Sequence, residues 1–404
     1  MILYLFNNNF PDNAGFGKRC KKEIEILSEK EEIMVLCKKN CSIEEAPYIK
    51  IGNNNVQIAR FTTYFGGNQK IHDYEMKKGF YEFGRNLDLT FGMMTQLCKL
   101  LWQHKAKNIK LYVIVSPLTV PLIGYIIGKV FNASPQVVEF HDLEPELAMH
   151  IKNLNHDSLI TRIEFHLEKI ICNLYNRVVV TTNTQAERII KRTQIDKNKV
   201  LVIPNSIQVE DSKNSVRGVV NVNSAFNVGY ISSFSYSHSI SGIIKLIKLL
   251  AINKNQYKNI MITVVGEGSL LSEVKDLTKK LNILDVFTFT GNRKNVAEFI
   301  KNFDATIIPW EQDEMTETML PTKLFEYMAA KKTIIAPNFG EFNTALTHNS
   351  DALLYNTTEE LLSYINRLQH DKNLCTKLEI NAYKKYMESY YPDIFSQKLL
   401  DFIN

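Results

Sequence analysis

At 404 residues the chain exceeds what one ordinary core organises and suits two domains of about 200 residues each. An apolar fraction of 45% and a charged fraction of 23% are those of a soluble globular protein and exclude long disordered stretches. The excess positive charge sits in the first half, where residues 1–207 hold 27 Lys and Arg against 21 Asp and Glu, while residues 208–404 hold 21 against 22; so small an excess suggests no nucleic-acid partner but permits peripheral contact with an anionic membrane.

The chain opens on an apolar run, Ile2–Phe6, too short and without the basic flank of a signal peptide, and it reads as a first buried strand. Six cysteines (Cys20, Cys37, Cys41, Cys98, Cys172, Cys375) include no CxxC pair. Cys37 and Cys41 find no second Cys/His pair to complete a zinc site, so all six read as thiols of a reducing cytosol. A cytoplasmic location follows, with the inner face of the plasma membrane as a place of peripheral contact. The segment Asp12–Arg19 carries Gly15 and Gly17 between the first strand and a helix over Lys18–Ser28, a tight turn suited to a sugar or a phosphate.

Further strands are expected at Ile33–Cys37, Val56–Phe61, Leu111–Val115, Val137–Glu139, Val178–Thr181 and Val200–Ile203. Helices are expected at Leu89–His104, Leu159–Tyr175 and Gln185–Arg192. Leu111 to Gly128 is free of charge for long enough to suggest a membrane span, but Ser116, Pro117, Thr119 and Pro121 divide it into strand, loop and helix. Glu139-Phe140-His141-Asp142 ends a strand, the edge where parallel sheets bind ligands, which brings His141 forward as a substrate contact. Residues 208–225 lack periodicity and read as a linker.

A second series then begins, with strands at Phe226–Ile231, Met261–Val265, Val286–Thr290, Ala305–Ile308 and Thr333–Ala336. Helices at Gly242–Ile252, Leu270–Leu281, Val296–Asn302, Lys323–Ala330 and Thr358–Gln369 intervene. The alternation predicts an α/β chain of two Rossmann-like, doubly wound parallel-sheet domains facing across a cleft. Residues 1–207 form the first, 208–225 the linker and 226–388 the second.

The most informative segment is Leu320-Pro321-Thr322-Lys323-Leu324-Phe325-Glu326-Tyr327-Met328-Ala329. Pro321 suits a helix start, whose free N–H groups and positive dipole end would hold a diphosphate. Glu326 follows Thr322 by one turn and could accept from the vicinal hydroxyls of a ribose. The turn Val265-Gly266-Glu267-Gly268 is similar to a dinucleotide fingerprint, but Leu271 stands at the third glycine position and no ribose-binding acid follows, which disfavours a dehydrogenase.

Together these segments resemble the retaining glycosyltransferases of family 4, the GT-B fold. The resemblance runs through Gly15-Phe16-Gly17-Lys18-Arg19, Phe140-His141-Asp142, Val202-Ile203-Pro204-Asn205-Ser206, Val228–Ser233, Val265–Gly268, Phe289-Thr290-Gly291-Asn292-Arg293, Asp304-Ala305 and Pro321–Ala329. Tyr390-Tyr391-Pro392 resembles the approach to that family's last helix, here within 391–404, which returns to the first domain. The resemblance implies a hexosyltransferase that moves a sugar from a nucleotide-diphosphate donor, UDP rather than GDP, to a sugar or lipid-linked acceptor with retention. Surface polysaccharide, glycolipid or glycoconjugate assembly is the implied setting, without metal or other cofactor.

It also implies that His141 and Glu326 are catalytic and that Gly15, Phe16 and Gly17 close over the diphosphate. Ser232, Gly266, Gly268, Asn292, Arg293, Thr318, Leu320, Pro321 and Thr322 join Glu326 around the donor, with Lys18 and Asp142 on the acceptor side. Three positions depart from that pattern. Thr318 replaces a glutamate, the basic pair expected after Ile231 is absent with Arg293 or Lys323 as replacements, and Lys331 stands where a helix-ending glycine is usual. A non-catalytic partner-binding subunit of the same fold, and a nucleotide-sugar epimerase, are the alternatives.

Overall fold

The computed structural model describes residues 1–10, 15–39, 47–62, 79–104, 108–205, 225–254, 257, 259–291 and 296–404, with backbone alone for 7–9, 15, 16, 79–87 and 89. The chain forms two compact units, one of Met1–Pro204 with Pro392–Asn404, the other of Asn205–Tyr391.

The first unit runs β1 (Ile2–Asn9), α1 (Gly15–Ser28), β2 (Ile33–Lys38), β3 (Tyr48–Ile51), β4 (Asn54–Phe61), α2 (Gly79–Gln103), β5 (Lys110–Ile114) and α3 (Thr119–Val130). It continues with β6 (Gln136–Phe140), α4 (Glu144–Lys152), α5 (Leu159–Leu174), β7 (Arg177–Val180), α6 (Asn183–Thr193) and β8 (Val200–Val202). The strands order as β3-β4-β2-β1-β5-β6-β7-β8, all parallel except the β3–β4 hairpin. β6 is buried at every position, Gln136 and Glu139 included, as in a sheet covered on both faces. One face packs Leu3, Leu5, Leu111 and Val113 under the helix layer that includes α2 and α3. The other packs Tyr4, Phe6, Tyr112 and Val137 with Ile24 and Leu27 of α1. Side-chain caps fix two of the helix starts. Ser158 accepts from Thr161 N ahead of α5, and Thr182 from Gln185 N ahead of α6, satisfying amides the helix cannot use itself.

The second unit runs β9 (Phe226–Ile231), α7 (Ser241–Ile252), β10 (Ile260–Val265), α8 (Leu271–Lys280), β11 (Phe287–Phe289), α9 (Val296–Lys301) and β12 (Ala305–Ile307). Next come α10 (Thr322–Ala329), β13 (Thr333–Pro337), α11 (Gly340–Ala345), β14 (Leu353–Tyr355), α12 (Thr358–His370) and α13 (Lys372–Lys385). Its six strands are parallel and order as β11-β10-β9-β12-β13-β14. The last helix, α14 (Asp393–Ile403), buries Leu399, Leu400 and Ile403 in the core of the first unit beside α1.

Each expected strand and helix has a counterpart, and the charge-free stretch resolves into β5, a turn and α3. Among the described residues no helix is long and apolar enough to cross a membrane. Five elements escaped the sequence: β3, α4, α11, β14 and α13. β3 is exposed or half-buried except at Ile51, so it lacks an apolar signature, and β14 has three residues. Lys331 has φ 54°; its neighbour Ala330 ends α10, so a lysine adopts the left-handed conformation that a glycine takes without cost. Its ammonium lies 4.4 Å from the Tyr383 ring centre. Cys20, Cys37, Cys172 and Cys375 are buried thiols that form no disulfide among the described residues, while Cys41 falls outside the described residues.

Gly242, in the first turn of α7, lets that helix lie against the backbone leaving β12. A Cβ there would stand 1.9 Å from the Pro309 carbonyl oxygen. Gly242→Ala is therefore expected to cost the second unit about 1–3 kcal/mol through backbone displacement, read by denaturant unfolding. A midpoint equal to wild type would show that α7 has room to move.

Candidate functional site

In each sheet the strand order reverses at one place, between β1 and β5 in the first and between β9 and β12 in the second. Crevices at the carboxyl ends of such strands are where open α/β sheets take ligands.

In the second unit the crevice is built by α10. Ile231 N, at the end of β9, donates to Tyr327 Oη at 3.2 Å. Tyr355 Oη donates to the carbonyls of Ile308 and Trp310 at 3.1 and 3.0 Å, fixing the chain as it leaves β12. Pro321 is the N-cap of α10, extended at φ −71° and ψ 143°, and no side chain caps the helix start. The first-turn amides and the dipole thus favour an anion at the mouth of the crevice.

Lys323 turns back into the crevice. Its ammonium lies 5.3 Å from the Tyr230 ring centre and 5.7 Å from that of Trp310, with the His238 ring edge-on to Trp310 at 5.0 Å. Burial pushes the Lys323 amine down to about 7, against the Glu326 carboxylate, which favours the charged form. Three residues after Lys323 on the same helix, Glu326 is half-buried.

The remaining donor-side expectations fall unevenly. Leu320 is buried and Thr322 half-buried. Thr318 is 1% exposed and its hydroxyl donates to the Met315 carbonyl at 2.8 Å, within its own turn. The neighbouring Glu317 accepts from Gln312 at 2.7 Å. The loop before α10 is closed by reciprocal bonds, Thr316 N to Asp313 Oδ1 and Asp313 N to Thr316 Oγ1. Gly266 and Gly268 are needed for protein packing. Added Cβ atoms would meet the Ser232 oxygen at 1.8 Å and the Ser233 oxygen at 2.2 Å, so the glycines let the exit of β10 lie on the exit of β9. Ser232 is buried there, its amide donating to Val265 O at 3.0 Å. Asn292 and Arg293 lie outside the described residues.

In the first unit α1 begins at Gly15 beside the β1–β5 reversal, with Gly17 buried and Lys18 half-buried. Residues 11–14 and the Phe16 side chain lie outside the description. His141 follows β6, its carbonyl accepting from Thr181 Oγ1 at 3.1 Å and Gln185 Nε2 at 3.0 Å. Burial raises the Asp142 carboxyl, with His141 opposing. Burial and the neighbouring Glu164 and Asp142 push Glu144 up to about 8.

Beneath His141 lies a buried polar network that sequence reasoning missed. Glu139 Oε1 accepts from Arg19 Nε at 2.8 Å and lies 3.1 Å from His141 Nε2, and Tyr112 donates to Oε2 at 2.6 Å. Arg19 also contacts Glu23 at 2.9 Å and donates to the carbonyls of Ile203 and Pro204, each at 2.8 Å. Tyr4 donates to Glu23 at 2.6 Å. One signal was available: Glu139 is a carboxylate inside an otherwise apolar parallel strand, and Arg19 and Glu23 share a helix face. Glu23, Glu139 and His141 have the proximity of metal ligands, but the Arg19 guanidinium bonds both carboxylates and supplies the positive charge a metal would bring.

A single buried guanidinium balances one carboxylate. Burial raises the Glu23 carboxyl, Arg19 opposing and Glu139 adding to the rise. Burial also acts to raise Glu139, but Arg19 and then His141 outweigh it and hold it well below the usual range. The signs are opposite. Glu139 contributes stability that is lost as acid protonates it, whereas Glu23 keeps a proton in the fold that the unfolded chain releases above about pH 4.5; from there upward its contribution falls as pH rises. Glu23→Gln is expected to flatten the decline of Tm between about pH 5 and pH 8. A slope identical to wild type would mean that both carboxylates are ionised.

Residues 64–211 match the family described as Glycosyltransferase Family 4, and residues 213–385 match Glycosyl transferases group 1. The lipopolysaccharide core biosynthesis glycosyltransferase LpsD of Rhizobium meliloti (strain 1021) is 28% identical over 156 residues, 38% of this chain. The chain spans 42% of that protein and 32% of a second curated relative. Sucrose-phosphate synthase from Thermosynechococcus elongatus superposes with a TM-score of 0.74 at 15% identity, covering 99% of this chain and 97% of that one. Anabaena Alr3699/HepE, solved in complex with UDP, gives 0.69 at 14% identity over 99% and 98%. The two family matches together account for residues 64–385, so the chain belongs to the glycosyl transferases of group 1, and the structural likeness over 99% of the chain gives it the GT-B fold.

Proposed function

We propose that the protein transfers a hexose from a nucleoside-diphosphate sugar, UDP rather than GDP, to a hydroxyl of a sugar or lipid-linked acceptor, with retention and without metal. The observation that carries this reading is the start of α10, placed at the β9–β12 reversal with uncapped amides and Lys323 behind them. The HepE structures with UDP and with UDP-glucose, and the likeness to LpsD, a lipopolysaccharide core biosynthesis glycosyltransferase, support the donor class and a role in polysaccharide or lipopolysaccharide assembly. The positive excess of the first half supports peripheral contact with the inner membrane face.

In this reading the diphosphate lies against the amides of Thr322 and Lys323, and the Lys323 ammonium supplies the charge lost with the missing basic pair. Glu326 accepts from the ribose hydroxyls. Gly15–Gly17 cover the phosphates, and His141 contacts the sugar, with Lys18 and Asp142 towards the acceptor. The bond from the anomeric carbon to the phosphate oxygen breaks as the acceptor oxygen bonds the same face. The acceptor proton passes to the leaving phosphate, which holds the developing negative charge.

Two outcomes test this. Glu326→Ala is expected to remove most turnover while the protein stays folded; wild-type release of nucleoside diphosphate would remove Glu326 from the site. Because Lys323 loses its proton as pH rises through about 7, nucleoside-diphosphate affinity is expected to fall above neutrality, by about 10-fold when the charge-assisted bond is lost. Lys323→Arg keeps its charge and is expected to bind without that pH dependence, while Lys323→Met binds weakly throughout. Equal binding by Lys323→Met would contradict the assignment, and no binding of UDP, GDP or ADP by wild type would favour a non-catalytic subunit.

A further inference from the structure

We propose that Glu139 is a positioning residue for sugar transfer, holding the Nε2 edge of His141 so that the ring meets its ligand through Nδ1 as a hydrogen-bond acceptor. This rests on the reading of His141 as a sugar contact.

The geometry leaves His141 little choice. Glu139 is fully buried, and its carboxylate is held on one side by Arg19 and on the other by the Tyr112 hydroxyl. Tyr112 is fixed in turn by stacking on Tyr4, 4.9 Å between ring centres and 10° between planes. An ionised carboxylate only accepts hydrogen bonds, so Nε2, which lies 3.1 Å from it although off the direction of a well-formed hydrogen bond, faces it with an N–H rather than a lone pair. A neutral imidazole has one N–H; with that on Nε2, Nδ1 is the acceptor. The main chain that carries the ring is fixed, because the His141 carbonyl is pinned by Thr181 and Gln185. A sugar hydroxyl would then donate to His141. The groups facing Glu139 and His141 come from three elements and one loop: Arg19 and Glu23 from α1, Tyr4 from β1, Tyr112 from β5 and Asp142 beside the ring.

The same network explains how Glu139 could be neutralised without collapse. Glu139→Gln keeps the shape and one acceptor, but its amide can rotate and donate to Nε2, so it no longer dictates the tautomer. Arg19 would not be left without a counter-charge, because Glu23, 2.9 Å away, can release the proton that the fold now makes it keep. A residue acting through another in this way lowers turnover more than donor binding, as loss of the orienting acid does in a Ser–His–Asp triad.

Nitrogen-15 spectra of the full-length protein with labelled histidine, recorded at alkaline pH, read the tautomer directly. Wild type is expected to show His141 protonated at Nε2, and Glu139→Gln a mixture, with kcat down at least about 10-fold and donor KM within about 3-fold. A wild-type ring protonated at Nδ1 overturns the proposal whether or not any variant folds. So does a Glu139→Gln protein with unchanged tautomer and kcat. His141→Ala at wild-type turnover would instead remove His141 from the site and leave the tautomer result standing, so the two failures are distinct.

Discussion

A parallel sheet that reverses its winding leaves two neighbouring strands whose crossovers depart to opposite faces, and no element of the sheet covers the carboxyl ends between them. In the second unit those strands are β9 and β12. The bond from Ile231 N to Tyr327 Oη draws α10 over that gap, and the placement of its amides, of Lys323 and of Glu326 depends on it. The tyrosine at 327 sits on the buried side of an amphipathic eight-residue helix. The packing that secures the fold is thus the packing that aims the helix start.

Much of this was legible in the sequence. Apolar runs placed the buried strands to within three residues at either end, because strands covered on both faces need no polar alternation. The start of α10 was legible from Pro321. The elements that were missed lack a pattern: β3 is an edge strand with one buried residue, and α11 is a six-residue helix. Within the site it is harder to read from sequence what protein contacts a glycine or a hydroxyl serves. Gly266 and Gly268 look like ligand glycines because a strand–glycine–helix passage is local, whereas the backbone they admit, Ser232 to Phe234, comes from another crossover. The Thr318 hydroxyl serves its own turn, which no spacing rule reveals.

The two units handle buried charge differently. In the second, one lysine is held against aromatic faces with a carboxylate three residues on, an arrangement whose charge responds to an arriving anion. In the first, a guanidinium is locked between two carboxylates and two backbone carbonyls, and it stays charged. The carbonyls belong to Ile203 and Pro204, the last residues of the first unit before the chain enters the second. Arg19 therefore ties together the helix that begins at Gly15, the strand end that bears His141 and the point of exit, which explains why an arginine is worth burying there.

The start of α10 and the exit of β9 form one surface, and amide hydrogen exchange reads it without assuming any reaction. With UDP at saturating concentration, protection is expected to concentrate at Thr322 to Leu324 and at Ile231 to Phe234, the start of α10 and the exit of β9. Saturable binding that protects other segments and leaves those two at their free rates would place the nucleotide away from α10.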